Sequence, residues 1–112
     1  MKRFCLTLNL KDDPELIKEY EEHHKAVWPE IINSIKNSGI ENMEIYIYET
    51  SLFMMMEVKD DFSFEKKQEA DSNNEKVQQW EKLMWKYQEP LLGAAKDEKW
   101  ILMKKIFDLK ES

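Results

Sequence analysis

Cysteine, glycine and histidine are scarce in this sequence, and each shortage argues against a class of protein. The single cysteine among 112 residues cannot form an intramolecular disulfide. Two glycines are too few for a glycine-rich loop that cradles phosphates, which disfavours P-loop and dinucleotide-binding proteins. The two histidines lack the His-Glu-x-x-His spacing of a zinc site, and Cys5 has no companion ligand. We therefore expect no bound metal.

Long apolar runs and an excess of positive charge are also missing. The longest apolar run, residues 52–56, is far shorter than the roughly 20 residues that a membrane helix needs. The net charge is −6, from 23 acidic and 17 basic residues, and such a surface does not suit a nucleic-acid partner. We expect neither a membrane nor a nucleic acid as partner. The lone cysteine, and opening residues unlike a secretory signal, favour a cytoplasmic protein.

The remaining composition is that of a globular protein, with 42% hydrophobic and 36% charged residues. We expect one domain over residues 1–112. Residues 3–10 alternate between apolar and polar side chains, which predicts a half-buried strand. Asp13 is a suitable N-cap for a helix that starts at Pro14, and Pro29 interrupts that helix. The helical pattern then resumes and is expected to end at Gly39 in a left-handed conformation.

The second half of the chain predicts further strands and another helix. The segments MEIYIYE and LFMMMEV predict two strands that are close enough to form a hairpin. A helix is predicted from Glu75, ending near Pro90 and Gly93, and KWILMKKIFDL alternates as a fourth strand. The resulting split βαβ order predicts an α+β protein with an antiparallel four-stranded sheet and helices on one face. The other face, with residues such as Met55 and Ile106, calls for a cover, so we predict a homodimer.

Both histidines lie in EYEEHHKAVWPEI, residues 19–31. Tyr20 and His24 are four residues apart on the predicted inward stripe of the first helix, within reach of one small molecule. A phenol and an imidazole so placed are a plausible acid/base pair. A structural histidine bonded to a backbone carbonyl is the alternative. His23 points elsewhere on the helix, toward Glu19, and is expected to be solvated.

Four tryptophans, Trp28, Trp80, Trp85 and Trp100, are the other candidates. Each of them fits an ordinary core position. Aromatic faces also suit sugar rings, whose C–H patches pack against them. Composition alone leaves these two interpretations open.

The segment around Tyr20, His24 and Trp28-Pro-Glu resembles the L-rhamnose mutarotase family, and the resemblance continues through SGIENMEIYIYE, LFMMMEV and VQQWEKLMW. It implies a ferredoxin-like βαββαβ subunit in a dimeric α+β barrel. It also implies cofactor-free interconversion of the α and β anomers of a free 6-deoxyhexose, with His24 as proton donor. By the same resemblance Tyr20 and Trp80 bind substrate, and Trp28 belongs to the family motif.

Two positions depart from the pattern of rhamnose-specific members. Met43 stands where they carry a tyrosine, and Glu81 stands where they carry a second consecutive tryptophan. A thioether thus replaces a phenol, and a carboxylate replaces a ring that can stack. These changes suggest the same reaction on a differently configured sugar. L-Fucose and L-rhamnose differ in which ring hydroxyls are axial. We therefore expect Glu81 to bind a sugar hydroxyl that the two substrates present differently.

A protein of a different class remains as the alternative. The same architecture also serves non-catalytic binders of small ligands, cofactor-free monooxygenases and haem-degrading proteins. In a binder, His24 would be only a polar anchor. A purely structural dimer would have no effect on any sugar.

Overall fold

The computed structural model describes residues 1–91 and 99–111. They form an antiparallel sheet with four helices on one of its faces. In chain order the elements are β1 (Lys2–Leu10), α1 (Pro14–His24), α2 (Pro29–Asn37), β2 (Ile40–Tyr48), β3 (Ser51–Val58), α3 (Phe64–Ser72), α4 (Glu75–Trp85), β4 (Gln88–Glu89), β5 (Ile101–Leu102) and a 3-10 turn at Leu109–Glu111. This arrangement confirms the predicted α+β class.

The central strand is β1, and it follows the predicted alternation. The strand order is β2-β3-β1-β4, with β5 also paired to β1. Leu6, Leu8 and Leu10 point to the helices and are buried, whereas the residues between them face the other side. Every second residue of β3 is likewise buried under the helices, including Met54 and Met56. Met54 and Met56 therefore fill the core, whereas Met55 between them points to the other face.

The first helix begins and ends as its sequence dictates. The Asp13 side chain accepts hydrogen bonds from the backbone N–H groups of Glu15 at 3.0 Å and Leu16 at 3.4 Å, so the predicted N-cap is confirmed. Pro29 starts a separate helix, α2. Gly39 follows α2 with φ of 94°, a conformation that side chains with a Cβ rarely adopt.

The hairpin between β2 and β3 is also confirmed, and its turn contains only two residues, neither of them glycine. Glu49 and Thr50 join the two strands, and Glu49 has φ of 52°, a left-handed conformation. The pairing then runs regularly from Tyr48 opposite Ser51 to Met43 opposite Met56. A bulge between Ile40 and Asn42 interrupts it near the start of β2.

The last predicted strand is wrong in length. Only Ile101 and Leu102 form a strand, opposite Thr7 and Leu6, and residues 103–108 have no regular structure. Alternation predicts which side chains share a face but does not supply a partner for the backbone. β4 occupies another part of the same edge of β1, with Gln88 opposite Leu10. The described sheet accordingly has five strands instead of four.

Helix α4 is shorter than predicted. It ends at Trp85 instead of near Pro90, because Tyr87 and Gln88 turn back to the sheet. Gly93, the other predicted end point, lies outside the described residues. The Lys11 backbone N–H donates to the Tyr87 carbonyl at 2.9 Å, which ties this turn to the end of β1.

Within the part of the chain that the structure describes, the sheet face opposite the helices exposes large apolar side chains. Tyr46 and Phe53 lie there on neighbouring strands, with ring centroids 6.2 Å apart and exposed fractions of 56% and 37%. Ile106, in the irregular segment, is 91% exposed. None of the described helices is both long enough and apolar enough to cross a lipid bilayer.

Candidate functional site

A cavity of about 400 Å³ lies between the helices and the covered face of the sheet. This volume is at the lower end of the range of about 300–1,000 Å³ that is typical of ligand pockets. Its floor is apolar and comes from β1, β2 and β3, whereas its polar groups come from the helices, β4 and the residues before β5. The cavity size suits one small molecule with a few directed polar contacts.

His24 lies at the C-terminal end of α1 and lines this cavity. Its Nδ1 lies 2.8 Å from the backbone carbonyl of Tyr20, and because a carbonyl only accepts, Nδ1 is the protonated nitrogen. In the neutral ring, Nε2 then carries the free lone pair. Burial lowers the pKa of His24, and the charge of His23 lowers it further, whereas the carbonyl contact opposes the shift. His24 is therefore a neutral base at neutral pH.

Tyr20 lies one turn before His24 and lines the same cavity. The two rings are stacked at a tilt, with centroids 4.3 Å apart. Burial raises the pKa of Tyr20, and a hydrogen bond from the Gln88 side chain partly offsets that rise. The phenol is consequently protonated near neutral pH and can donate a proton or a hydrogen bond. The predicted pairing of Tyr20 and His24 on an inward face is confirmed.

The aromatic wall of the cavity comes from α4 and the segment before β5. Trp80 and Trp100 line the cavity, and Trp80 meets His24 edge to face at 5.8 Å. Trp28 is not among the lining residues. It packs against Trp80 at 5.1 Å and so supports the wall from behind. Trp85 lies under the ammonium group of Lys99, 4.7 Å from the ring centroid.

The two residues that depart from the rhamnose-specific pattern, Met43 and Glu81, both line the cavity. Glu81 is half-buried on α4, and its backbone carbonyl accepts a hydrogen bond from Lys99 Nζ at 2.9 Å. Burial lowers the pKa of Lys99, and the negative charge of Glu81 counteracts this shift. A carboxylate and an ammonium group thus share one end of the cavity.

A further ion pair borders the cavity on α3. Lys67 and Asp71 are one helical turn apart, with Nζ and Oδ2 at 2.6 Å and both side chains largely buried. The Ser34 hydroxyl of α2 donates to the other carboxylate oxygen at 3.4 Å. Because these groups pair with one another, they also fix α2 against α3.

The prediction that His23 is solvated is wrong. Its Nε2 is 3.0 Å from the hydroxyl of Tyr87, a buried residue, and the two rings are 5.5 Å apart. The prediction used helical position alone, whereas Tyr87 arrives from a segment 64 residues later. His23 is not a lining residue of the cavity.

Sequence reasoning missed five polar residues that line the cavity: Ser34, Lys67, Asp71, Gln88 and Lys99. Gln88 and Lys99 belong to no amphipathic helical pattern. Gln88 reaches the cavity because β4 pairs with β1, and Lys99 reaches it because it lies just before β5, which also pairs with β1. Asp71 lies on a helix with a weak apolar pattern, which gave no signal for its inward face. Within residues 1–91 and 99–111, no group of three or more histidine, cysteine or acidic side chains is arranged to hold a metal ion.

The arrangement can move protons on a small bound molecule. A neutral imidazole with a free Nε2 and a protonated phenol lie side by side, and a carboxylate and an ammonium group line the same cavity. General acid–base catalysis requires groups that can accept one proton while another is delivered. The aromatic wall offers a face on which a sugar ring can pack.

Comparison with known proteins gives a consistent result. The model of the family described as L-rhamnose mutarotase matches residues 3–109. An L-fucose mutarotase from Xanthomonas campestris pv. campestris is 40% identical over 114 residues, covering 100% of this chain and 91% of that protein. An L-rhamnose mutarotase from Oceanobacillus iheyensis is 29% identical over 87 residues, covering 76% of each chain.

A solved structure has the same fold. The crystal structure of an L-rhamnose mutarotase from Formosa agariphila superposes with a TM-score of 0.70 at 21% identity, covering 97% of this chain and 99% of that one. The family match extends over the segments that carry the cavity on both halves of the chain. This chain belongs to the L-rhamnose mutarotase family.

Proposed function

We propose that this protein is a mutarotase, an isomerase that interconverts the α and β anomers of a free 6-deoxyhexose. The single observation that carries the proposal is His24, a neutral base with a free Nε2 in a cavity of monosaccharide size beside a protonated phenol. Membership of the L-rhamnose mutarotase family supports the same reaction. The 40% identity to an L-fucose mutarotase and the residues Met43 and Glu81 favour L-fucose over L-rhamnose.

The reaction needs two coupled proton transfers. The C1 hydroxyl loses its proton while the ring oxygen gains one, the bond between C1 and the ring oxygen breaks, and the open-chain aldehyde forms. Rotation about C1–C2 and the reverse transfers then close the ring as either anomer. The cycle is redox-neutral and consists of proton transfers that side chains can perform, so we propose that no cofactor takes part.

His24 is proposed as the catalytic residue. Since the ring is neutral at rest, Nε2 first accepts the proton of the C1 hydroxyl and then returns it during closure. The resemblance to the family implies His24 as the proton donor, which corresponds to the second half of this cycle. At the ring oxygen, the Tyr20 hydroxyl or a bound water supplies the other proton. One positioned acid/base group contributes about 10²–10⁴-fold to a rate.

The substrate-binding residues are proposed to be Tyr20, Trp80, Trp28 and Glu81. Tyr20, Trp80 and Glu81 line the cavity, so that a sugar bound there would touch them directly. Trp28 acts through Trp80, which it holds in place. We further propose a single domain over residues 1–112, a cytoplasmic homodimer, and no metal, nucleic-acid or membrane partner. The lone cysteine, the charge of −6 and the uncovered sheet face support these points.

Saturation-transfer NMR on free sugars tests the proposal. The wild-type protein is expected to speed exchange between the anomeric signals of L-fucose and, more weakly, L-rhamnose. A methyl glycoside of the same sugar is the control, because it has no C1 hydroxyl and cannot open. A protein that binds these sugars without speeding exchange would instead be a non-catalytic binder, and one without any sugar effect would contradict both functions.

A further inference from the structure

Gln88 is buried in an unusual way for a polar side chain. Its side chain belongs to a residue that is only 3% exposed. Among the described residues, no other amide or charged residue is buried to this degree. It lies on the short strand β4, opposite Leu10 of β1, and lines the cavity. A buried amide without partners is costly, so each of its two polar ends requires an explanation.

The amide oxygen of Gln88 has no partner in the part of the chain that the structure describes. Gln88 Oε1 is buried and accepts no hydrogen bond there. The Tyr20 phenol lines the same cavity, and the Gln88 side chain counteracts the rise that burial causes in the pKa of that phenol.

An unpaired amide oxygen on a residue that lines the cavity requires a hydrogen-bond donor. A sugar hydroxyl can be that donor, because it carries one hydrogen that it can give to Gln88 Oε1. A ligand that offers only a C–H group or an ether oxygen at that point would leave Oε1 unpaired. Sites of this kind strongly disfavour an analogue that lacks the hydroxyl.

We propose that Gln88 is a specificity-determining residue whose Oε1 accepts a hydrogen bond from one non-anomeric hydroxyl of the bound sugar. The proposal rests on the proposed mutarotase function and adds to it one more substrate contact. Gln88 donates no proton and is therefore a binding residue. A buried water that occupies the same position in the complex is the competing arrangement.

The test combines a variant with altered sugars. Gln88→Met keeps the length of the side chain and removes both polar ends, and Glu89→Gln on the same strand, at an exposed position, is the matched control. Anomer exchange is measured for L-fucose and for its 2-, 3- and 4-deoxy analogues. With one of these analogues, wild type is expected to lose about tenfold to a hundredfold in efficiency, mainly through KM.

For that analogue, Gln88→Met should add little further loss, whereas with the parent sugar it should cause a loss of similar size. This non-additivity identifies the hydroxyl that Oε1 contacts. Equal losses of the variant on all four sugars, or no loss on any, would overturn the proposal, because a structural role or a bridging water would not depend on one hydroxyl.

Two further outcomes are separable. If Gln88→Met does not fold, as judged by circular dichroism, the wild-type series still decides, since equal efficiency on all deoxy analogues overturns the proposal. Wild-type protein without exchange on any sugar would refute the mutarotase function itself. An active wild type with an indifferent Gln88→Met would refute only the role of Gln88.

Discussion

At the scale of single residues, the protonation states of the cavity follow from burial more than from charge. His24 loses solvation and so favours its neutral form, and Tyr20 loses solvation and also stays neutral. The backbone carbonyl of Tyr20 then selects which imidazole nitrogen is free. One helical turn thus provides a base and a donor.

The pH dependence of the rate follows from this state. Because the pKa of His24 is lowered from 6.5, the neutral form persists above that pH and is lost only on further acidification. We expect enzyme-dependent exchange to be flat near pH 7 and to fall with a midpoint below 6.5. The measurement is NMR exchange against pH with the spontaneous rate subtracted. A midpoint above 6.5, or a rate that rises with acid, would contradict the base role.

Sugar preference is the second prediction for single residues. Glu81→Gln keeps the size of the side chain and removes its charge, so exchange should slow about tenfold more on one of L-fucose and L-rhamnose than on the other. Glu75→Gln on the same helix, at an exposed position, is the control. Exchange rates on both sugars provide the readout. Equal slowing on the two would show that Glu81 does not distinguish them.

At the scale of elements, the sequence predicts best where a local cause acts. The Asp13 cap, the break at Pro29 and the left-handed Gly39 each depend on a few neighbouring residues, and all three were predicted. The end of α4 and the length of the last strand depend on pairing with β1, so periodicity could not reveal them.

The cap of α1 gives a prediction at this scale. Asp13→Ala removes the acceptor for two backbone N–H groups and should lower the free energy of unfolding by about 0.5–2 kcal/mol. Asp12→Ala removes the same charge from the exposed neighbour and should have a smaller effect. Urea unfolding followed by circular dichroism measures both. Equal stability losses would mean that charge, and not capping, is what Asp13 contributes.

At the scale of the whole molecule, the cavity and the uncovered sheet face lie on opposite sides of the sheet. Helices cover one face and create the site, whereas Tyr46 and Phe53 leave the other face apolar and open. A second copy with the same face is the cover that we propose. The sequence predicted which strand residues occupy each face, since alternation is local. It could not predict His23 with Tyr87 or the buried Gln88, since these contacts join distant segments.

The oligomeric state is the prediction for the whole molecule. Light scattering after size exclusion should give twice the chain mass of 13.6 kDa. Phe53→Lys places a charge on the open face and should shift the protein toward monomer, whereas Gln68→Lys adds the same charge on an exposed helix position and should not. A monomeric wild type, or a Phe53→Lys protein that remains fully dimeric, would remove the support for this interface.

The central claim is that His24 performs the proton transfer, and comparing the two adjacent histidines tests it most directly. His24→Ala is expected to keep its fold and lose about 10²–10⁴-fold in exchange rate on L-fucose. His23→Ala should keep its rate and lose about 1–3 kcal/mol of stability, because the buried Tyr87 hydroxyl loses its partner. The measurement is saturation-transfer NMR of both variants beside wild type. A folded His24→Ala protein that exchanges the anomers as fast as wild type would contradict the account.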